Sequence, residues 1–231
     1  MRCLFGANWL KLGRIQVVKT RVANSFIDFL NMSVMVVDTE TTGLPLRRNQ
    51  PPSSFNNWNN CRLVQVAWQV HEPNTGALLS KQQLVVKPVG FDISNTHIHG
   101  ITTEFAQEHG VLIGAVFDAL ASALSGVDVI VAHNVEFDKG VLLAELYRSI
   151  AVSDGDGDGE YGRLSQRFCS ISTQCTMWMA TKKLQRTGDK WLKLVELYTR
   201  LFPQEAPPAN LHRADADVEL CAKCYFAMTV L

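Results

Sequence analysis

Two acidic side chains close the first strongly apolar segment of the chain. Asp38 and Glu40 end the stretch VMVVDTE, and Val34–Asp38 has the β-branched composition of a buried strand. Residues two apart on a strand project from the same face, so both carboxylates converge where the strand ends. Two like charges there repel each other unless a cation lies between them, and Mg²⁺ or Mn²⁺ prefers such oxygen ligands. The alternative is an ordinary solvated strand end, and the pair alone does not decide between the two.

A third acid stands at the start of a predicted helix. Asp138 ends the segment VIVAHNVEFD, in which a buried strand over Val127–Ala132 leads through a turn into a helix from residue 137 to about 150. The helix dipole alone also favours an acid in the first turn. Asn134 follows the strand directly, where it would either steady a site or hold the turn.

The segment LHRADADVEL supplies a histidine and two competing acids. Helical spacing places Asp217 on the inward stripe of Cys221, and Asp215 on a stripe of charged residues that faces solvent. An acid on an inward face needs a partner, and a metal ion is the natural one, so Asp217 is the preferred candidate. His212 precedes this helix, a place where histidine is also a common cap or surface residue.

The strands and helices predicted around these side chains form a mixed sheet flanked by helices. Leu63–His71 and Leu84–Lys87 alternate apolar and polar residues, as antiparallel strands with one covered face do. Later segments show helical spacing of apolar residues, at Thr103–Leu124, Cys175–Lys183, Trp191–Phe202 and Ala214–Met228. Antiparallel strands followed by alternating strands and helices indicate an α/β fold.

Residues 1–31 differ in composition from the folded domain predicted over 32–231. They hold five basic residues against one acid, which is typical of a mitochondrial presequence, although an ordinary extension or a true start at Met32 would also fit. Two loop insertions are predicted within the domain, at 46–60 and 151–172. The second contains DGDGDGE, similar to the opening of an EF-hand loop, but Ser165 stands where the bidentate glutamate belongs. The sequence therefore favours an acidic loop over a calcium site.

Composition excludes several classes of protein. The 22 basic and 22 acidic residues cancel, so the chain lacks the basic field of a protein that coats long nucleic acid. Cys221 and Cys224 are spaced like zinc ligands, but no second pair accompanies them, and core packing is predicted instead. No apolar run is long enough for a bilayer, so no membrane contact is expected. The expected compartment is intracellular, either cytoplasmic or nuclear, or mitochondrial if 1–31 is a presequence.

Four motifs together resemble the DEDDh exonuclease family, which includes the proofreading subunit of bacterial DNA polymerase III. They are VVDTETTGLP, HxHGIT, VAHNVEFD and HxxxxD, and the resemblance runs from about Val34 to Met228 in the family's order. Cys175 departs from the pattern, because many members carry aspartate before the threonine there. We interpret it as a change at a helix start outside the catalytic set.

The resemblance implies a ribonuclease H-like fold with a mixed five-stranded sheet. It assigns two Mg²⁺ ions, for which Mn²⁺ can substitute, to Asp38, Glu40, Asp138 and Asp217, with His212 as general base. It also implies a substrate pocket formed by Thr41, Leu44, His99 and Ile101, to which we add Asn134 as a further candidate for substrate binding.

The implied reaction is 3′→5′ hydrolysis of DNA single strands or frayed 3′ ends, releasing nucleoside 5′-monophosphates. An exoribonuclease that trims RNA is the alternative within the enzyme class. An inactive module that docks on a polymerase or on nucleic acid is the alternative outside it. Nucleic acid 3′ ends are the expected partner, and a polymerase or a second copy of the chain would be a further one.

Overall fold

The fold is organised around a five-stranded mixed sheet. A computed structural model of the chain describes residues 33–47, 49–153, 159–184, 190–208 and 212–230. The strands lie in the order β3-β2-β1-β4-β5. Their bounds are β1 Ser33–Thr41, β2 Leu63–His71, β3 Leu78–Val85, β4 Val127–Ala132 and β5 Ser172–Cys175. β1 pairs antiparallel with β2 and parallel with β4, which confirms the predicted mixed sheet.

Helices cover both faces of this sheet. They are α1 Thr96–His99, α2 Thr103–His109, α3 Ile113–Ala123, α4 Val135–Val152, α5 Glu160–Ser170, α6 Thr176–Leu184, α7 Leu194–Leu201 and α8 Ala214–Thr229. None of the helices in the described part of the chain is long and apolar enough to cross a membrane.

Strand β1 is buried on both faces because its side chains alternate between two hydrophobic clusters. Val34 and Val36 pack with residues of α8 such as Val218. Met35 and Val37 point the opposite way, into the larger cluster that contains the buried side of α4. The period of two therefore assigns even-numbered residues of β1 to the α8 face and odd-numbered residues to the α4 face.

Two predicted elements have different bounds in the structure. The strand predicted at Leu84–Lys87 extends over Leu78–Val85, and its first six residues are exposed. It is an edge strand without a buried face, so the sequence shows no alternation of apolar and polar residues where the strand begins. The single helix predicted over Thr103–Leu124 is interrupted after His109, because Val111 pairs with Val86 in an isolated parallel bridge.

The prediction of a loop over 151–172 is wrong at Glu160–Ser170, which forms helix α5. Leu164 and Phe168 of this helix are buried in the main core. The short strand β5 was also missed, and Cys175 is its last residue rather than the start of a helix. The 1–31 segment and the Asp-Gly repeat at 154–158 lie outside the described residues.

The insertion at 46–60 is anchored to α4. It contains a 3-10 turn at Phe55–Trp58, and Trp58 is buried against Gly140, where an added Cβ would lie 2.5 Å from the indole Cη2. Just beyond it, the Arg62 Nε–H donates to Glu145 Oε1 of α4 at 2.7 Å. Arg148 Nη1 lies 2.7 Å from the other Glu145 oxygen, as an ion pair without hydrogen-bond alignment.

The cysteine pair of α8 packs in the core, as predicted. Cys221 belongs to the cluster between α8 and β1, and Cys224 belongs to a separate cluster with α7.

Candidate active site

Three carboxylates converge at the end of β1. Asp38, Glu40 and Asp217 each offer an oxygen, and these oxygens all lie within 4.8 Å of one another. All three side chains are partly buried. Within the described part of the chain, this is the one group of three or more His, Cys, Asp or Glu residues close enough to share a metal ion.

The alternation of side chains along β1 explains why these three carboxylates meet. Asp38 and Glu40 are even-numbered residues of β1 and face α8, whose first turn carries Asp217. The start of α8 is fixed by Gln65 of β2, which pairs with Glu40 in the sheet. Its side-chain oxygen accepts a hydrogen bond from the Ala214 amide at 3.0 Å, so the helix begins beside the acidic pair.

Asp138 reaches the same strand from the opposite face. It is 3% exposed in the first turn of α4. Its Oδ1 accepts hydrogen bonds from both the amide and the hydroxyl of Thr39, at 3.0 and 2.8 Å. Thr39 is odd-numbered and faces α4, so the residue between Asp38 and Glu40 is the one that fixes the fourth acid.

The four carboxylates share an unfavourable electrostatic environment. Burial, with repulsion from Asp138, Asp217 and Glu40, raises the pKa of Asp38 well above its usual range. Burial and the neighbouring acids raise the pKa of Glu40 to about 8. The pKa of Asp138 rises to about 7, chiefly through burial and despite the two hydrogen bonds from Thr39. The pKa of Asp217 is also raised, mainly by burial.

This donor set fits divalent cations. Oxygen ligands alone, several of them anionic and at one strand end, suit Mg²⁺ or Mn²⁺. A bound cation would offset both the lost hydration and the mutual repulsion that raise these pKa values.

His212 stands at the entrance to α8 with an exposed side chain. Its backbone amide donates to Asp217 Oδ2 at 3.2 Å. Its φ of 66° lies in the left-handed region, which is unfavourable for residues other than glycine. Such strained conformations cluster at functional sites. The competing acid Asp215 instead forms an ion pair with Arg213 at 3.3 Å and is not among the three clustered carboxylates.

Thr41 is the last residue of β1, and Leu44 lies in the turn that follows it. Thr41 Oγ1 donates to the Gly43 carbonyl at 2.8 Å. Gly43 passes so close to the Asn60 carbonyl that an added Cβ would lie 2.8 Å from that oxygen. Leu44 is 57% exposed, so it offers an apolar surface four residues beyond Glu40.

His99 and Ile101 lie mostly inside the protein. His99 is 4% exposed, its Nε2–H donates to the Ser94 carbonyl at 3.2 Å, and its Nδ1 accepts from the Ile101 amide at 3.1 Å. Burial lowers the pKa of this imidazole. Both residues line a cavity whose walls also include Gln65 and Arg213.

Asn134 is an exposed residue with φ 80° that precedes α4. Its carbonyl accepts the Phe137 amide at 2.8 Å, while its side chain makes no capping hydrogen bond. The side chain is therefore not occupied in holding the turn.

Sequence reasoning missed two residues that build the site, Thr39 and Gln65. Gln65 is 3% exposed within the apolar run LVQVAW, and a lone buried amide of this kind needs a partner. Thr39 was harder to find from the sequence. The one indication was its place between Asp38 and Glu40, which makes its side chain point to the opposite face of the strand.

Several known proteins share this fold. Exonuclease I of E. coli, solved with single-stranded DNA, is 18% identical with a TM-score of 0.60, covering 86% of this chain and 40% of that chain. Exonuclease I of Methylocaldum szegediense is 19% identical with a TM-score of 0.58, covering 86% and 40%. Exonuclease X, solved with 5′ overhanging duplex DNA, is 22% identical with a TM-score of 0.53, covering 85% and 91%. The chain thus spans about two-fifths of the exonuclease I proteins that it matches.

A search of curated proteins by sequence finds no match. The model of the exonuclease family RNase_T, however, matches residues 35–225. That range includes the three clustered carboxylates, Asp138 and His212, and it agrees with the resemblance carried by the four sequence motifs. The chain therefore belongs to the RNase_T exonuclease family.

Proposed function

We propose that this protein is a 3′→5′ exonuclease that removes nucleoside 5′-monophosphates from DNA single strands or frayed 3′ ends, with two Mg²⁺ ions as cofactors. The observation that carries the proposal is the group of three carboxylates, Asp38, Glu40 and Asp217, with oxygens within 4.8 Å of one another. DNA is preferred over RNA as the substrate because exonuclease I and exonuclease X were solved with DNA.

The acids of the site divide into two sets by their surroundings. Asp38, Glu40 and Asp217 would hold the ions directly, and Mn²⁺ could replace Mg²⁺ because both accept carboxylate oxygens. Asp138, held by Thr39, would add negative charge from the α4 side of the strand. Bound ions would supply an activated water and would neutralise charge on the scissile phosphate.

His212 would act as the general base. An imidazole can accept a proton from the attacking water near neutral pH, and the exposed ring can reach solvent and substrate. The hydrogen bond from its own amide to Asp217 ties the base to one of the ion ligands. The left-handed backbone at His212 is a strained conformation of the kind that is retained at functional sites, which supports this role.

The strand end would be gripped by residues around the carboxylates. Leu44 would pack against a terminal base, with Thr41 at the end of β1 also in contact with the DNA strand. Ile101 and His99 would close one side of the pocket, and Asn134 would offer its unoccupied amide. Apolar packing against base faces would give little sequence preference.

The test is an end-labelled nuclease assay with purified protein. A 5′-labelled DNA single strand should shorten progressively with Mg²⁺ or Mn²⁺, and chelator should stop the reaction. A 3′-labelled strand should release its label as a mononucleotide from the first time point, which fixes the polarity. Matched RNA strands in parallel would separate a deoxyribonuclease from an exoribonuclease, since 2′-hydroxyl contacts decide that choice.

Three variants sharpen the assay. Asp38→Asn should abolish digestion, whereas Asp215→Asn, two residues from Asp217 but outside the cluster, should digest at nearly the wild-type rate. His212→Ala should lower kcat roughly 10²- to 10⁴-fold while metal binding is retained. Wild-type digestion that persists in chelator, or an Asp38→Asn protein with full activity, would refute the proposal.

A further inference from the structure

A groove with mostly apolar walls lies beside the candidate active site. Its volume is about 560 Å³. We call it the Trp191 groove, and the lining residues that matter here are Leu44, Pro45, Trp58, Asn134, Phe137 and Trp191. Leu44 lies four residues after Glu40, Asn134 four residues before Asp138, and Phe137 directly before it, so the groove is lined by residues next in sequence to the carboxylates.

Two tryptophans form an exposed pair at this groove. Trp191 is 48% exposed and Trp178 of α6 is 50% exposed, although indoles are normally among the more buried side chains. Their ring centroids lie 5.1 Å apart with the planes tilted by 54°. That geometry is a favourable aromatic contact, so each ring limits the movement of the other.

The backbone beside Trp191 is fixed to the core of the site. The His133 Nε2–H donates to the carbonyl of Leu192 at 3.0 Å, and His133 Nδ1 lies 2.9 Å from Thr176 Oγ1. His133 follows β4 directly and precedes Asn134. A partly buried hydrogen bond therefore ties the backbone next to Trp191 to the residue that follows β4.

The walls suit an occupant with flat apolar faces rather than a strongly charged one. The charged residues that line the groove, Lys139 and Glu136, have opposite signs. Nucleobases have such faces, and stacking on aromatic side chains accepts every base. A lysine at the edge of the groove could meet a backbone phosphate of the same strand.

We propose that Trp191, supported by Trp178, is a stacking platform for a base of the single strand whose 3′ end lies at the carboxylates. The inference rests on the proposed function, and it assigns the strand beyond the terminal nucleotide to the Trp191 groove. Trp191 is a binding residue for the strand and takes no part in the chemical step.

The first experiment measures binding without cleavage. The probe is a 5′-fluorescein oligothymidylate of about 12 nucleotides, long enough to fill a single-strand site, with phosphorothioate linkages at its 3′ end. Fluorescence anisotropy with Mg²⁺ should show Trp191→Ala binding roughly 5- to 150-fold more weakly than wild type, the loss expected for one stacked base. Trp191→Phe should stay close to wild type, and Trp178→Ala should have a smaller effect. Leu79→Ala, which removes a 60% exposed side chain from β3, is the matched control and should change nothing.

The second experiment separates binding of the strand from the chemistry. Trp191→Ala should raise the KM for the oligothymidylate with ordinary linkages. The same variant should hydrolyse thymidine 5′-monophosphate p-nitrophenyl ester at the wild-type rate, because this ester has no second base to stack on Trp191. Equal loss on both substrates would mean that Trp191 supports the site structurally, and it would overturn the proposal. Unchanged affinity of Trp191→Ala for the strand would overturn it as well.

The two proposals fail in different ways. A wild-type protein that binds the strand through Trp191 but cleaves neither substrate contradicts the proposed function alone. A wild-type protein that cleaves both, with binding indifferent to Trp191, contradicts the stacking platform alone. A groove that serves a protein partner instead would give this second result.

Discussion

Replacing Glu40 by glutamine should stabilise the metal-free protein, although it removes a predicted metal ligand. Glu40 lies beside two other carboxylates and is partly buried, and its pKa is raised from an ordinary 4.5 to about 8. A raised pKa means that the folded protein binds more protons than the unfolded chain between these two values. The free energy of unfolding therefore falls as pH rises through that window, and the charged form of Glu40 is destabilising at pH 8.

The size of this effect follows from the shift. Each pKa unit corresponds to about 1.36 kcal/mol, so a shift from 4.5 to about 8 sets a ceiling of roughly 5 kcal/mol at pH 8. Glu40 retains partial contact with solvent, which screens its charge, and we expect roughly 1–2 kcal/mol in practice. Near pH 5 the carboxyl is protonated in the fold, so wild type and Glu40→Gln should differ by less than about 0.5 kcal/mol.

The assay is urea unfolding in chelator at about pH 5 and about pH 8, repeated at pH 8 with Mg²⁺. Ligand binding to the folded state stabilises it by roughly 2.7 kcal/mol when the free ion is at 100 times its Kd. Saturating Mg²⁺ should therefore stabilise wild type and leave Glu40→Gln much less affected, which reverses their order. Glu219→Gln, an exposed acid on α8 outside the cluster, should follow wild type throughout.

Two outcomes would refute this reasoning. One is a Glu40→Gln protein no more stable than wild type in chelator at pH 8. The other is an equal gain at pH 5 and pH 8, which would show that the gain comes from packing rather than from removal of charge.

Three further changes probe the scaffold around the site. Glu145→Ala should cost roughly 3–5 kcal/mol in urea unfolding, because it leaves two partly buried arginines without their carboxylate. Gly140→Ala should cost roughly 1–3 kcal/mol and shift the tryptophan emission, since the new methyl group would displace Trp58; unchanged emission would contradict this contact. The Glu72 carboxylate accepts hydrogen bonds in the β2–β3 turn that lower its pKa to about 2, so its stabilising effect is present above pH 4.5 and is lost as pH falls towards 2. Thermal melts of Glu72→Gln should thus differ from wild type at pH 6 and converge with it near pH 2, whereas a constant difference would contradict the shift.

The sheet was predictable where burial imposes a periodic pattern. Leu63–His71 and Val127–Ala132 have the bounds that the sequence predicts, because a strand with a covered face must place apolar residues at regular positions. β3 lacks a covered face and β5 has only four residues, so neither leaves such a pattern.

Helix α5 shows a different limit. Its apolar residues Leu164 and Phe168 are spaced as a helix requires, but the repeat of Asp and Gly just before them indicated a loop. The prediction for 151–172 therefore extended the loop over a segment that is helical. The buried faces of those two residues are visible only when the core that receives them is known.

The clustering of the three acids was predictable from the sequence, but the residues that support them were not. Asp38 and Glu40 follow from strand parity, and Asp217 follows from the inward stripe of a helix. The backbone conformations at Asn134 and His212 do not follow from any local pattern, because left-handed φ values at these residues are imposed by the turns between elements.

Thr39 explains why the acidic motif of β1 needs a polar residue between its two acids. Side chains alternate along the strand, so Asp38 and Glu40 face α8 while Thr39 faces α4. Its amide and hydroxyl both bind Asp138, and this places the fourth carboxylate against the same strand end from the other face. An apolar residue there would keep the amide but lose the hydroxyl, and it would leave a buried acid with one donor fewer. β1 thus supplies two of the three clustered carboxylates and also fixes the position of the fourth acid, which no feature of α4 alone could fix.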